Sequence, residues 1–206
     1  MSDAQAAVAT AKPGWGGGVS PFAVGDKKLG MWLFIVSDAL TFSTLIVAYC
    51  YVRIANEWPK PFEFYPGIVF ASVMTLVLLS SSLTMVFGVD AAHRGDRKSA
   101  VKWIWATALG GVLFIVLHAT EWMHLIHDGV TPTANPWGTP LFGGTFFTLT
   151  GLHMTHVLAG VIYLSVVAWG HGKGKYDAED VEVSGLYWHF VDLVWIFVFP
   201  IFYLLS

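Results

Sequence analysis

Five stretches of this sequence, residues 29–52, 66–89, 101–122, 141–169 and 184–205, each hold enough consecutive apolar residues to cross a lipid bilayer. A membrane-crossing helix needs about 20 mostly apolar residues, each rising about 1.5 Å. None of the five keeps up the two-residue alternation of a barrel strand. The fold class that follows is an all-α integral membrane protein, a bundle of five transmembrane helices. Composition agrees: only 12% of the 206 residues are charged, about half the share usual in soluble domains. That scarcity excludes a disordered chain and a nucleic-acid binder with a basic face. The one cysteine, Cys50, leaves no internal disulfide and no two-thiolate metal site. Between the spans, residues 90–98, 128–140 and 170–182 are turn-rich or charged and read as loops.

Charge sets the expected orientation. Nine of the eleven Lys and Arg residues (Lys12, Lys27, Lys28, Arg94, Arg97, Lys98, Lys102, Lys173 and Lys175) fall on the N-terminal side of the bundle, and Arg53 and Lys60 on the other. Excess positive charge marks the cytoplasmic side. The N-terminus is therefore expected in the cytoplasm and the C-terminus outside, with Trp58, Trp103, Trp122, Trp137 and Trp169 as interfacial belts. Residues 1–25, rich in Ala and Gly, lack the apolar core of a signal peptide and read as a flexible cytoplasmic tail. Residues 26–206 form the transmembrane domain. An odd number of spans offers no pair of inverted repeats, and only the last span has an interior proline, Pro200. Both observations weigh against common transporter architectures.

Ionisable groups inside the spans ask for a reason, since one at the bilayer centre costs on the order of 2.5–3.5 kcal/mol. Asp38 lies ten residues beyond Lys28, and Asp192 ten beyond Glu182. Both are thus about 15 Å from the cytoplasmic ends of their helices. On the same count His156, His118 and His153 lie about 21, 24 and 25 Å deep. With Glu121 and His189 they make an intramembrane polar layer. One reading has these groups satisfy each other, or a backbone carbonyl, between packed helices. The other makes the layer a proton relay, a lipid-headgroup site or a metal site.

Spacing tests the metal reading. His118, Glu121, His124 and His127 recur every three residues, and Glu121 with His124 imitates the Glu-x-x-His of a di-iron bundle. Such a bundle needs a second motif and two further glutamates, whereas Glu57, Glu63, Glu179 and Glu182 all fall in loops. The di-iron reading fails, and no metal ligand or catalytic residue is assigned. A haem held by His118, His153 or His156 stays open as a competing reading, as does a proton-conducting transporter built around Asp38 and Asp192. Ser80, Ser81, Ser82 and Thr84, with Gly110 and Gly111, suit close helix–helix approach. The acidic run 176–182 reads as a solvated loop, and Pro200 as a kink.

Two segments, Gly151-Leu-His-Met-Thr-His-Val-Leu-Ala-Gly160 and Tyr187-Trp-His-Phe-Val-Asp-Leu-Val-Trp195, resemble the signatures of haem–copper oxidase subunit III. Leu29-Gly-Met-Trp-Leu-Phe-Ile-Val-Ser-Asp38 is similar to that family's acid-bearing helix. So are Glu121-Trp122, Asp128-Gly129 and Gly143-Gly-Thr-Phe-Phe147 in their order. The resemblance covers residues 27–205. It implies a multi-pass subunit of the bacterial inner membrane, without a cofactor of its own, packed against subunit I and with subunit II of a proton-pumping terminal oxidase. Haem and copper would sit in those partners. Bound phospholipid and support of proton uptake into subunit I belong to the same implication. The chain departs from many members by lacking two leading helices, by carrying Asp38 where glutamate is common, and by having Met154-Thr155 where Gly-Leu is common. The Tyr187–Trp195 run is closer to cytochrome c oxidases, while Asp38 resembles quinol-oxidising relatives.

Overall fold

The computed structural model describes residues 25–60 and 62–205. The expected tail, 1–25, lies outside the described residues except for Gly25. Five long helices follow in order: α1 Asp26–Ala55, α2 Val69–His93, α3 Arg97–His127, α4 Pro140–Gly172 and α5 Ala178–Phe199. A π-helical turn, Phe64–Ile68, leads into α2, and another, Pro200–Leu204, continues α5. All five are long and apolar enough to cross a membrane.

The helices run past the apolar windows, and α3 and α5 each begin at a polar side-chain cap. At about 1.5 Å per residue, the 31 residues of α3 span about 46 Å, against a hydrocarbon core of about 30 Å. The turn between α2 and α3 shows how little loop is needed. Gly95 N–H donates to Ala92 O and Asp96 N–H to Ala91 O, with Gly95 at φ +77°. This is a Schellman ending, which needs the left-handed residue that glycine supplies. Asp96 then caps α3 by accepting from Ser99 N–H at 3.1 Å. The Ser99 hydroxyl and N–H hold the Asp96 carboxyl below its usual range.

The acidic run after Tyr176 is not the solvated loop expected of it. α5 already begins at Ala178, because Asp177 and Asp180 form a reciprocal capping box: Asp180 N–H donates to Asp177 at 3.0 Å and Asp177 N–H to Asp180 at 3.1 Å. The rest of the run faces α1. Lys27 Nζ lies 2.6 Å from Asp180 and Lys28 Nζ 2.8 Å from Glu182.

α2, α3, α4 and α5 pack in a ring, each against the next and α5 back onto α2. α1 stands outside the ring against α5 and α4. α5 is the most enclosed helix, and Trp188 and Trp195 are its largest fully buried side chains. Small residues let the ring close: a Cβ on Gly110 would lie 2.6 Å from Ser81 Cβ, and one on Gly160 2.9 Å from the Trp188 ring. One on Gly111 would overlap Trp188 outright. The serines and glycines read as packing residues thus serve that purpose. At Pro200, which cannot donate the next helical hydrogen bond, α5 gives way to the π-helical turn that carries Phe202 and Tyr203 into the core. The termini of the helices define two ends of the bundle. The one bearing Lys27, Lys28, Arg94 and Arg97 is called the basic end below.

Candidate functional site

The polar residues expected in one layer separate into three clusters between different helices. In the first, α1 meets α4. Asp38 Oδ2 lies 3.1 Å from His156 Nε2, with both side chains largely buried. Two members of the layer read from the sequence are thus in contact. His156 Nδ1 lies 2.8 Å from Leu152 O, and a carbonyl only accepts, so Nδ1 carries a proton. The contact is close without being aligned as a full hydrogen bond. Tyr187 from α5 donates its hydroxyl to His156 O at 3.0 Å, and Phe42 meets the imidazole edge-on.

The second cluster joins α3, α4 and α5. His118 and His153, both fully buried, flank the indole of Trp195, with ring centroids 5.4 and 4.9 Å away. Phe114 stacks on His118 and meets Trp195 edge-on. His153 Nε2 donates to Val191 O at 3.1 Å. Toward the end opposite the basic one, Tyr203 donates its hydroxyl to Glu121 at 2.5 Å. The same Glu121 oxygen is 3.3 Å from His118 Nδ1. The indole of Trp195 packs against both rings, and His153 Nε2 is engaged by the backbone.

The third cluster lies between α2 and α5. His189 Nδ1 is 2.7 Å from Ser82 Oγ. Asp192, 3% exposed, stands against Ser82 with no hydrogen-bond partner on either carboxyl oxygen. Trp188 Nε1 donates to Ser81 and Trp195 Nε1 to Thr75, at 3.1 and 3.0 Å. A hydroxyl bond between Thr84 and Thr107, 2.8 Å, links α2 to α3. Among the described residues no three His, Cys, Asp or Glu side chains converge as a metal-binding group.

Every residue of the expected layer is at least partly buried between helices, but no single pocket gathers them. Three partners escaped the sequence: Tyr203 for Glu121, Ser82 for His189, and Tyr187 for His156. Tyr203 had a usable signal, since α3 and α5 run the same way and Glu121 and Tyr203 both fall near their C-terminal ends. Ser82 was read only as a packing residue.

The sequence model of the family described as cytochrome c oxidase subunit III matches residues 16–206. The chain belongs to that family. The subunit 3 of cytochrome c oxidase from Corynebacterium diphtheriae is 36% identical over 185 residues, 87% of this chain and 88% of the relative. The cytochrome bo(3) ubiquinol oxidase subunit 3 of Pseudomonas aeruginosa is 31% identical over 186 residues, 88% of this chain and 86% of the relative. The quinol oxidase subunit 3 of Bacillus spizizenii is 32% identical over 182 residues, 86% of each. The chain spans most of the length of each of these subunit 3 relatives. The resemblance seen at Tyr187–Trp195 and Gly151–Gly160 is thus that of a subunit III family member. The residues behind it are those that bring α4 and α5 together with α1 and α2.

Proposed function

We propose that this chain is the third subunit of a proton-pumping cytochrome c oxidase, a haem–copper enzyme reducing O2 to water in the inner membrane of an aerobic bacterium. The observation that carries this reading is the family match across residues 16–206. The chain acts there without a redox centre of its own, binding and stabilising subunit I, with subunit II in the same assembly and haem and copper held by those partners. The buried acids and histidines serve mainly to lock the helices together; the Asp38–His156 pair and the Glu121–Tyr203 bond support this, since both join helices far apart in sequence. Phospholipid fills the exposed apolar flank of α1, which the ring leaves open. The basic end faces the cytoplasm, on the strength of nine basic residues against two.

A quinol-oxidising assembly is the second reading, favoured by the aspartate at position 38 and by the ubiquinol and quinol oxidase subunits among the relatives. Gentle purification of a tagged chain from its own membranes is expected to bring down a larger haem-bearing partner. Oxidation of reduced cytochrome c or of a quinol by that preparation then separates the two donors. Recovery of the chain as a haem-free oligomer overturns both.

A further inference from the structure

Between α2 and α5, at the basic end, the surface opens into a cleft of about 250 Å³. Val86, Val89 and Leu186 form its apolar walls, and Asp90, Glu182 and His189 its polar lining. The His189 imidazole is the link inward. Its ring lines the cleft while its Nδ1 lies 2.7 Å from Ser82 Oγ. Ser82 in turn stands against the carboxyl of Asp192, one helical turn beyond His189 on α5. Asp192 is the anomaly. It is almost wholly buried, yet neither oxygen has a hydrogen-bond partner. A buried carboxylate with no partner is far more costly than a buried carboxylic acid, so the group holds a proton. The terminal torsion of an aspartate is broad, which leaves the acid free to turn toward the Ser82 side chain it stands against.

We propose that Asp192 is a buried proton-binding site that exchanges with water at the basic end through Ser82 and His189. Release runs in three linked transfers. The Asp192 O–H proton passes to Ser82 Oγ while the Ser82 hydroxyl proton passes to His189 Nδ1. The proton on His189 Nε2 leaves for water in the cleft. Ser82 ends with one proton, His189 ends neutral with its proton on Nδ1, and one proton has moved from Asp192 to water. Loading is the reverse. No heavy-atom bond changes.

The charged neighbours leave this route open. On α2, Asp90 is paired with Arg94, and His93 is 3.4 Å from Glu182. On α1, Lys28 is paired with Glu182, and Asp38 with His156 of α4. On α4, His153 is bound to Val191 O, and on α3 His118 lies against Glu121. None of them holds the Asp192 carboxyl. The route uses only this chain's residues and does not depend on the electron donor.

The test follows the carboxylic acid C=O stretch by infrared spectroscopy, on the protein purified in its native assembly and transferred to D2O. An acid band at neutral pH that disappears in Asp192→Asn identifies the group, and in the unaltered protein it shifts promptly in D2O. Ser82→Ala and His189→Phe are each expected to slow that shift by about tenfold or more, the effect of a barrier higher by about 1.4 kcal/mol. Ser82→Thr, which keeps the hydroxyl, is expected to restore the rate. Absence of an Asp192-dependent acid band at neutral pH overturns the buried proton site. Exchange as fast in Ser82→Ala as in the unaltered protein overturns the route.

Discussion

At the scale of single residues, the polar groups in the bundle are costly unless partnered, and the partners decide what each substitution does. Asn in place of Asp38 keeps the shape and offers an N–H to His156 Nε2, whose other nitrogen is committed to Leu152 O. Leu offers nothing and strands a buried imidazole nitrogen, a penalty of about 1–3 kcal/mol. Asp38→Asn is therefore expected to leave the subunit in its complex through size-exclusion chromatography, while Asp38→Leu loosens it. If Asn instead leaves assembly intact but slows turnover, the acid titrates in the working enzyme. Tyr203→Phe removes the donor to Glu121, 8% exposed and with no other aligned partner. A loss of about 1–3 kcal/mol follows, read as a lower thermal unfolding midpoint in detergent. Both outcomes depend on contacts across 82 or more residues of chain, which no local pattern specifies.

At the scale of elements, helix ends and helix crossings carry separate contributions. The capping box at the start of α5 holds the Asp177 carboxyl below its ordinary value of 3.8, chiefly through the Asp180 backbone N–H. A depressed folded-state value means that the contribution is fully present above the ordinary value and is lost as pH falls through the depressed one. Asp177→Ala is expected to cost about 1 kcal/mol at neutral pH. The difference from the unaltered protein should vanish in strong acid, with amide exchange of the first turn of α5 as the local readout. Across the ring, α3 approaches α5 at Gly111, where any Cβ overlaps Trp188. Gly111→Leu is expected to destabilise by about 1–3 kcal/mol through overpacking. Gly30→Ala, with nothing within 4 Å of the added carbon, leaves the melting midpoint unchanged or higher. Equal effects of the two substitutions would refute the close-approach account.

At the scale of the whole molecule, α1 is the weakly held helix. It touches only α5 and α4 appreciably. Its ties are two ion pairs at the basic end, the Asp38–His156 contact, and the Tyr49 hydroxyl donating to Ile201 O at 3.1 Å. Half-exposed ion pairs contribute about 0–1 kcal/mol each, so Lys27→Ala is expected to matter less for the stability of the assembly than Asp38→Leu. The same basic residues orient the chain. A reporter that is active only outside the cytoplasm should work when fused to the C-terminus and fail at the N-terminus; the converse result reverses the orientation.

The sequence by itself determined the number of helices, their approximate places and the family. Twenty-residue apolar windows and short motifs such as Tyr187–Trp195 are local, and hydrophobic thickness leaves a chain of this kind little choice. It also suggested that Asp38 and His156 belong to one polar layer, because a helix converts residue number into distance. It did not show that α5 begins six residues before its apolar window, since a capping box works by hydrogen bonds between polar residues that also suit a loop. Nor did it separate the polar layer into three clusters. Which side of a helix turns inward depends on side-chain packing between residues far apart in sequence, with Gly111 against Trp188 as the clearest case. Only the tertiary structure decided that Tyr203 caps Glu121, that Ser82 bridges toward Asp192, and that α1 lies outside the ring. Each of these joins residues whose separation along the chain carries no information about their separation in space.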